Sequence, residues 1–342
     1  MYFLKLLLLP FSMLYGIIIG IRNFSFNIGV QKSYIIPKKS ICVGNLEVGG
    51  TGKTPHVAYI TELLYKKHST TILSRGYGRK TKGYVAGTIK SSSKEIGDEP
   101  KLYKNTFKDL VNVVVCEKRK IGVEIILKSN PKNEVIILDD AFQHRAVKAG
   151  LNILITDFKK PYYNNWMLPS GTLREWMIGR KRADVVIVSK TPTKTEETTK
   201  KVILKKLKFN TKNIFFSSIV YGEIKSFNNK EFSAKNVLLV TGISNPSPLE
   251  KELKKSFNVE LMKFPDHYNF TVEDIKRIHQ KFDTFVKEDK VIVTTEKDFM
   301  RLGELIKKTN INDFPWFYQS ISVKLDREKE FKALINTYVN TI

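Results

Sequence analysis

The chain has 342 residues, and its 58 Lys and Arg against 34 Asp and Glu give a formal net charge of +24. Hydrophobic residues make up 42% and charged residues 27% of the sequence, which excludes a disordered acidic protein, a collagen-like fibre and a coiled-coil rod. The slightly negative mean hydropathy excludes a polytopic membrane protein. Two isolated cysteines, Cys42 and Cys116, provide neither a disulfide framework nor a zinc site, so we expect a reducing compartment.

The excess of positive charge indicates an anionic partner or surface. Nucleic acid and an anionic membrane leaflet are both candidates. Much of the excess consists of scattered lysines, which are equally typical of the solvated faces of helices. Charge alone therefore leaves these interpretations open.

The N-terminal segment is apolar, and we predict a membrane-associated helix over residues 1–24. The segment is of marginal length, because a spanning helix needs about 20 apolar residues. A signal peptide would need a small-residue cleavage site after this segment, and the residues that follow offer no convincing one. A buried core helix would be unusually apolar on all sides. A helix that spans the membrane or lies in its interface fits best, with Tyr2, Phe3 and Tyr15 at the interface.

After this segment, short apolar runs alternate with helix-compatible stretches, which predicts a parallel sheet covered by helices. The predicted strands are 40–43, 70–73, 112–115, 135–138, 153–156, 185–189, 237–241, 259–262 and 291–295. Helices are predicted over 55–65 and 120–127. Residues 221–233 are predicted to be a join between one domain of residues 25–222 and a smaller α/β domain of residues 223–342.

A glycine-rich segment follows the first of these strands and opens a helix, which is the context of a phosphate-binding loop. It comprises Glu47, Val48, Gly49, Gly50, Thr51, Gly52, Lys53 and Thr54. Glycines let backbone N–H groups point at phosphate oxygens, and the helix N-terminus adds partial positive charge. We expect Lys53 to reach the β- and γ-phosphates of ATP and the Thr54 hydroxyl to hold Mg²⁺. The usual pattern has Gly where this chain has Glu47, and a glycine-rich turn without a ligand is the alternative.

Two carboxylates end an apolar predicted strand at Asp139 and Asp140. The carboxyl end of a buried parallel strand is where a doubly wound sheet binds ligands. We therefore predict that these residues meet the Mg²⁺ directly or through water. The alternative is that Asp140 caps the next helix.

Eight motifs, taken in chain order, resemble the tetraacyldisaccharide 4′-kinases (lipid A 4′-kinases) of Gram-negative bacteria. They are 43–55 (VGNLEVGGTGKTP), 74–79 (SRGYGR), 97–100 (GDEP), 139–144 (DDAFQH), 168–175 (LPSGTLRE), 241–243 (TGI), 264–267 (FPDH) and 295–298 (TEKD). One departure is Ala141, where the family often has Gly. The resemblance covers nearly the whole chain and informs the Lys-rich stretch 190–235 least.

The resemblance implies transfer of the ATP γ-phosphoryl group to the 4′-hydroxyl of a tetraacylated disaccharide 1-phosphate, giving lipid IVA for lipopolysaccharide. It implies two α/β/α domains, the first like a P-loop NTPase, with the nucleotide between them and an N-terminal membrane helix. The expected location is the cytoplasmic face of the inner membrane. The expected partners are the lipid substrate and the membrane surface, with no nucleic acid and no obligate protein partner.

The resemblance also implies roles for single residues. A sugar hydroxyl is a poor nucleophile, so a positioned base assists phosphoryl transfer, and the family pattern assigns Asp98 as the base with His267 as its partner. Glu175 is implied in the metal shell. For the substrate phosphates we predict Arg75, Arg119 and Arg174, whose forks suit phosphate oxygens, with Tyr77 against a sugar face or simply packed.

Two other classes of function remain alternatives from the sequence. A membrane-associated P-loop ATPase that switches partners would share the phosphate loop, the basic chain and the apolar helix, although the switch elements of such proteins are not evident. An ATP-dependent nucleic-acid-binding protein would explain the charge of +24 but not the apolar N-terminus.

Overall fold

The computed structural model describes residues 2–227, 231–266, 268–285, 288–308 and 314–341. The strands in these ranges are β1 (Tyr34–Ile35), β2 (Lys39–Gly44), β3 (Thr70–Ser74), β4 (Val85–Ala86), β5 (Asn112–Val115), β6 (Val135–Asp139), β7 (Val147–Lys148), β8 (Leu151–Asp157), β9 (Val185–Ser189), β10 (Ile214–Ser226), β11 (Asn236–Thr241), β12 (Asn258–Lys263), β13 (Lys290–Thr295) and β14 (Trp316–Leu325). The helices are α1 (Tyr2–Leu7), α2 (Leu9–Asn27), α3 (Lys53–Leu64), α4 (Ser93–Ile96), α5 (Asp98–Phe107), α6 (Arg119–Ser129), α7 (Glu197–Leu207), α8 (Ser247–Leu253), α9 (Val272–Thr284), α10 (Glu296–Lys308) and α11 (Glu328–Asn340).

Twelve of the described strands form one sheet in the order β12-β11-β13-β14-β10-β9-β8-β2-β6-β3-β5-β4. Neighbouring strands run parallel, apart from the antiparallel pairs β10–β14 and β4–β5. The expected α/β fold class with a parallel sheet is confirmed. The nine strands predicted from the sequence all form, each within two residues of its predicted bounds.

Strands β3, β6, β9 and β11 are buried along their whole length, because both faces of the sheet are covered there. In β2, Ile41 and Val43 pack into one core with α3, α5 and α11, whereas Cys42 packs into a second core on the opposite face. Strands buried on both faces have continuous apolar sequences rather than alternating ones. This burial explains why the strands were the most predictable elements of the chain.

The predicted join at 221–233 differs from the structure. β10 continues to Ser226 and pairs with β14 through a register shift between Tyr221 and Ile224, so the sheet runs without interruption from one half of the chain to the other. Helix α11 packs back on the first half, where Phe331 enters the core that contains β2. The division at 222/223 falls inside β10 and stays a prediction.

The phosphate-loop strand lies at the topological switch point of the sheet. β2 pairs with β6 on one side and β8 on the other, and the chain leaves β2 through α3 to reach β3, which lies beyond β6. Ligands of open α/β sheets bind outside the carboxyl ends of the strands at such a point. The fold thus directs the glycine-rich loop, Asp139 and Asp140 to one edge.

Helix α2 lies against the first half of the chain through a face of small and polar residues. Ser12 Oγ donates to Ser170 Oγ at 2.8 Å, and Tyr15 OH donates to the Arg174 carbonyl at 2.8 Å. Gly16 lies under Trp176, where a Cβ atom would come within 2.4 Å of the indole ring. The Tyr15 hydroxyl is used in this contact with the protein, and its expected place at a membrane interface stays a prediction.

The opposite face of α2 is apolar and open. Its exposed side chains are Phe11, Leu14, Ile17, Ile18, Ile21 and Phe24. Among the described helices, α2 is the one long and apolar enough to cross a membrane by length and composition. Because its apolar face is exposed, the alternative of a buried core helix is wrong.

Candidate active site

The glycine-rich loop joins β2 to α3 as the sequence predicts. Gly52 has a φ of 87° and forms the N-cap of α3, where it leaves the first-turn N–H groups without a side-chain cap. Glycine adopts this left-handed backbone at little cost. Backbone N–H groups at a helix start attract anions, so the loop has the geometry of a phosphate cradle.

Side chains from separate segments hold this cradle in shape. Asn45 Nδ2 donates to Thr51 Oγ1 at 2.9 Å, and Ser189 Oγ donates to the Thr51 carbonyl at 2.6 Å. The Lys190 ammonium donates to the carbonyl of Gly50 and pairs with Asp157 at 2.8 Å. The sequence analysis missed Asn45, Ser189 and Lys190, and only their positions at strand ends could have indicated them.

Glu47 occupies the position where the usual pattern has Gly. Its side chain is buried, and its Oε1 accepts a hydrogen bond from Asn165 Nδ2 at 2.6 Å. Burial raises the pKa of the Glu47 carboxyl despite that hydrogen bond. Its φ is not positive, so a side chain is sterically tolerated here and points into the 165–173 segment.

Lys53 brings the loop and the acidic strand end together. Its ammonium lies 3.3 Å from Asn45 Oδ1 and 3.6 Å from Asp140 Oδ1. Arg174 contacts both Asp140 oxygens, at 3.0 and 3.1 Å. Burial alone would raise the pKa of Asp140, but the Lys53 and Arg174 cations outweigh it, so that pKa is lowered.

Asp139 and Asp140 have opposite environments although they are adjacent. Asp139 is buried, and its Oδ2 has no hydrogen-bond partner. Burial, reinforced by the nearby Glu99 and Asp140 carboxylates, raises the pKa of Asp139 to about 7. Asp140 has a φ of 48° and is followed by turns, so the alternative that it caps a helix is wrong. A buried carboxylate oxygen without a donor suits a cation.

Thr54 and Glu99 face the same region from two helices. Thr54 Oγ1 donates to Glu99 Oε1 at 3.2 Å, and Glu99 Oε1 also lies 3.4 Å from Lys297 Nζ. Tyr103 is fully buried, and burial followed by the Asp139 and Glu99 charges raises its pKa. Thr54, Glu99 and Asp139 thus supply oxygen atoms close to the start of α3.

Cations flank the acidic pair. Arg119 is buried at the start of α6, donates to the Cys116 carbonyl at 2.6 Å and keeps its Nε without a partner. Burial lowers the pKa of Arg119 to about 10, although the guanidinium stays charged at neutral pH. Burial, then Arg119 and Arg75, lowers the pKa of His144 to about 4, so this residue is neutral. His144 lies in the motif 139–144, but no role for it is predicted from the sequence.

The remaining predicted substrate residues lie on the loop after β3. Arg75 and Tyr77 are exposed, and 70% of the Tyr77 surface is accessible. Arg75 is close enough to Arg119 and His144 to affect their charge. The structure therefore places Arg119 and Arg174 against the acidic pair, with Arg75 near Arg119 and with Tyr77 exposed.

Glu175 is placed differently from the other residues predicted for the metal shell. Its Oε1 accepts from Arg182 at 2.7 Å and from Gln143 at 2.9 Å, and its Oε2 accepts from Asn23 of α2 at 2.9 Å. These contacts fix α2 to the first half of the chain. A metal role for Glu175 stays a prediction, and we leave it out of the proposal below.

The predicted base lies where the two halves of the chain meet. Asp98 is the first residue of α5, and its Oδ2 contacts Arg301 Nε of α10 at 2.7 Å. Its predicted partner His267 lies outside the described residues. The pairing of Asp98 with His267 therefore stays a prediction.

Within the described ranges, no group of three or more His, Cys, Asp and Glu side chains is arranged to hold a metal ion by itself. That pattern agrees with Mg²⁺ chemistry, in which one or two carboxylates act together with substrate phosphates and water. The partnerless oxygen of Asp139 and the hydroxyl of Thr54 are the oxygen donors that fit such an ion.

Comparison with known proteins gives the family. The family model of tetraacyldisaccharide-1-P 4′-kinase matches residues 4–340. Tetraacyldisaccharide 4′-kinase of Cytophaga hutchinsonii is 40% identical over 349 residues, 98% of this chain and 95% of the relative. The enzyme of the same name from Flavobacterium psychrophilum is 40% identical over 350 residues, 100% of this chain and 98% of the relative.

A solved structure agrees with these relatives. LpxK from Aquifex aeolicus, described in complex with ATP, has a TM-score of 0.78 and 32% identity, and the match covers 98% of this chain and 99% of that chain. The resemblance stated from the motifs is thereby confirmed, and the alternatives of a switch ATPase and a nucleic-acid-binding ATPase are set aside. This chain belongs to the tetraacyldisaccharide-1-P 4′-kinase family and is an α/β enzyme of the kinase class.

Proposed function

We propose that the chain transfers the γ-phosphoryl group of ATP to the 4′-hydroxyl of an acylated glucosamine disaccharide 1-phosphate, giving lipid IVA and ADP. The observation that carries this proposal is the convergence of the phosphate cradle, Lys53 and the Asp139–Asp140 pair at one edge of the sheet. Family membership supports the choice of substrate.

ATP binds with its phosphates in the loop of residues 47–54. The backbone N–H groups after Gly49 and at the start of α3 face the phosphate oxygens, and Lys53 exchanges part of its contact with Asp140 for the β- and γ-phosphates. Lys190 and Asn45 hold the loop in place through their hydrogen bonds to Gly50 and Thr51.

Thr54, Asp139 and Asp140 would hold Mg²⁺, with Asp139 contributing the oxygen that has no protein partner. A divalent cation bound there would supply positive charge beside the phosphate oxygens. Arg174 balances the negative charge of Asp140 from the other side.

Asp98 takes the proton of the 4′-hydroxyl, with His267 as its partner. The 4′-oxygen forms a bond to the γ-phosphorus while the bond from that phosphorus to the bridging oxygen of ADP breaks. A positioned carboxylate contributes to such a transfer by orienting the hydroxyl and accepting its proton. Asp98 belongs to α5 and its contacts come from α10, so the base is held by both halves of the chain.

The 1-phosphate of the lipid and the transferring phosphoryl group meet Arg75, Arg119 and Arg174, with Tyr77 beside a sugar ring. Planar guanidinium groups bind phosphate oxygens through paired hydrogen bonds. The partnerless Nε atoms of Arg119 and Arg174 support this role, because buried donors ordinarily find an acceptor.

Helix α2 lies in the membrane interface on the cytoplasmic side rather than across the bilayer. Its polar face is taken up by Ser170, Arg174 and Glu175, so only the apolar face is available to lipid. An amphipathic arrangement of this kind is typical of interfacial helices. The acyl chains of the substrate then share the hydrocarbon layer with α2 beside the catalytic centre.

A transfer assay separates the proposal from its competitors. Purified protein is incubated with radiolabelled ATP and, in parallel, with acylated disaccharide 1-phosphate, with duplex DNA or with no acceptor. We expect label in the lipid alone and only slow release of free phosphate. Phosphate release that DNA stimulates, without labelled lipid, would overturn the proposal.

A further inference from the structure

Two motifs of the second half, Thr241-Gly242 and Thr295–Asp298, have no part in the function proposed so far. The structure joins them through one buried carboxylate. Asp298 has no solvent exposure, and its Oδ2 accepts from the Gly242 N–H at 2.9 Å and from Thr295 Oγ1 at 2.7 Å. Asp298 is therefore fixed by the ends of β11 and β13 together.

Arg301 extends this cluster towards the first half of the chain. It lies one helical turn after Asp298 on α10, is largely buried, and places Nη1 3.4 Å from Asp298 Oδ1 and 3.3 Å from the Tyr268 carbonyl. The contacts to Asp298 and to a backbone carbonyl fix one side of the guanidinium plane.

The other side of the same guanidinium meets Asp98. Nε lies 2.7 Å and Nη2 2.5 Å from Asp98 Oδ2. Both contacts are made to one oxygen, so they fix the position of Asp98 Oδ2 relative to α10. A buried Arg–carboxylate contact with two nitrogens is directional as well as attractive.

We propose that Arg301 is the positioning residue for Asp98, held in turn by Asp298. The inference rests on the proposed function, in which Asp98 accepts the hydroxyl proton. Arg301 fixes the position of Asp98 Oδ2 and ties α5 to α10, so the base is correctly placed only when the two halves are docked. Misplacement of a reacting group by about 1 Å costs about 10²-fold in rate.

The test is a double-mutant cycle on the full chain with lipid and ATP as substrates. The variants are Arg301→Met, Arg301→Lys, Asp98→Ala and the doubles that combine each Arg301 change with Asp98→Ala. We expect Arg301→Met to lower kcat about 10²-fold with KM for ATP within about 3-fold of wild type. Lysine keeps the charge but not the fork, so Arg301→Lys should recover part of the loss.

The decisive readout is non-additivity. Because Arg301 acts through Asp98, each double variant should be no slower than Asp98→Ala alone. Additive losses in kcat would overturn the inference while leaving Asp98 as the base. A rise in KM for ATP at unchanged kcat in Arg301→Met would have the same consequence. Wild-type turnover of Asp98→Ala would instead overturn the base assignment and this inference with it.

Two measurements guard against a trivial structural effect. Circular dichroism and thermal melting identify any variant that fails to fold, and in that case the cycle is completed with Arg301→Lys. Lys254→Met is the matched control, because it removes an exposed cation just after α8, where Lys254 Nζ lies 2.6 Å from Glu250. Its kcat should equal that of wild type.

Discussion

Lys53 connects the phosphate loop to the acidic strand end, since its ammonium lies within 3.6 Å of Asp140 and 3.3 Å of Asn45. Replacement by alanine removes the charge that meets the β- and γ-phosphates, so Lys53→Ala should abolish lipid phosphorylation. Its circular dichroism spectrum should stay unchanged, because the side chain is not part of the apolar core.

The matched control for Lys53 is Lys66→Ala. Lys66 follows the same helix and forms an exposed pair with Glu62 at 3.8 Å, and such surface pairs contribute little. Wild-type turnover of Lys53→Ala would contradict the phosphate-loop assignment. Loss of turnover in Lys66→Ala would show that the assay responds to the loss of any lysine in or near this helix.

Asp139 gives a pH dependence with a definite sign. Its pKa is raised to about 7 in the folded protein, against about 4 in an unfolded chain. Between about pH 4 and pH 7, the folded state therefore binds more protons than the unfolded state. The contribution of Asp139 to the free energy of unfolding is fully present below about pH 4 and is lost as the pH rises to about 7. Without Mg²⁺, the Tm of Asp139→Asn minus that of wild type should therefore be larger at pH 8 than at pH 5, by about 2–4 °C.

Magnesium provides the second arm of the Asp139 experiment. At pH 8 the ion should raise the Tm of wild type and have a smaller effect on Asp139→Asn, because the amide lacks the negative charge. Thermal melts at both pH values, with and without Mg²⁺, measure this. A Tm difference between the two proteins that is the same at pH 5 and pH 8 would contradict the buried, proton-holding carboxyl.

The sequence motifs identified residues whose function needs a particular side chain at a particular position within a short motif. Lys53, Asp139, Asp140 and Arg174 were predicted from local patterns, and the structure brings them together. The supporting residues Asn45, Ser189, Lys190 and Arg301 were not predicted, because each is an ordinary polar side chain whose partner is distant in sequence. Their roles depend on tertiary contacts that no local pattern records.

At the scale of elements, α2 was predicted from its apolar composition, but its orientation was not. The sequence left open whether the helix spans the bilayer or lies on it. The contacts of Ser12, Tyr15 and Asn23 with residues 167–175 show which face of α2 packs against the rest of the protein. This distinction requires the docked structure, because the polar residues are too few to identify a face from composition.

The exposed face of α2 can be tested without disturbing the docked face. Ile17 and Ile21 are more than half exposed, so the double change Ile17→Glu and Ile21→Glu should preserve the fold and ATP binding. Introducing two carboxylates on the lipid side should release the protein from membranes. We expect the variant to stay in the supernatant after sedimentation with anionic vesicles in high salt, which screens the basic surface, while wild type sediments.

The control for α2 is Val202→Glu. Val202 is an exposed apolar residue of α7, so this change adds negative charge away from α2 and should not alter sedimentation. Co-sedimentation of the Ile17/Ile21 variant at high salt would contradict an interfacial role for this face. Deleting residues 1–21 is a poorer test, because it also removes Ser12 and Tyr15 from the segment that holds Arg174.

At the scale of the whole molecule, the parallel strands were predictable and the connection between halves was not. Strands buried on both faces have the apolar runs that mark them in the sequence. The outer part of β10, from Ile219 to Ser226, has few buried side chains, so it resembles a loop by composition. Its pairing with β14 and the return of α11 to the first core are long-range contacts that the chain order does not reveal.

The continuous sheet explains how distant motifs form one catalytic centre. β10 and β14 join the half that carries the phosphate loop to the half that carries α10, and the Asp98–Arg301 and Glu99–Lys297 pairs cross the same boundary. Asp98, Asp139, Asp140 and the glycine-rich loop are therefore positioned by one framework.

The most direct test of the 4′-kinase assignment is the position of the transferred phosphate. Wild-type protein is incubated with ATP, Mg²⁺ and the acylated disaccharide 1-phosphate, and the product is examined by phosphorus NMR and mass spectrometry, with Lys53→Ala as the inactive control. We predict one added phosphate per disaccharide, attached at the 4′-oxygen, with one ADP formed for each. A phosphate at any other position, or ADP formed without a phosphorylated lipid, would contradict the account.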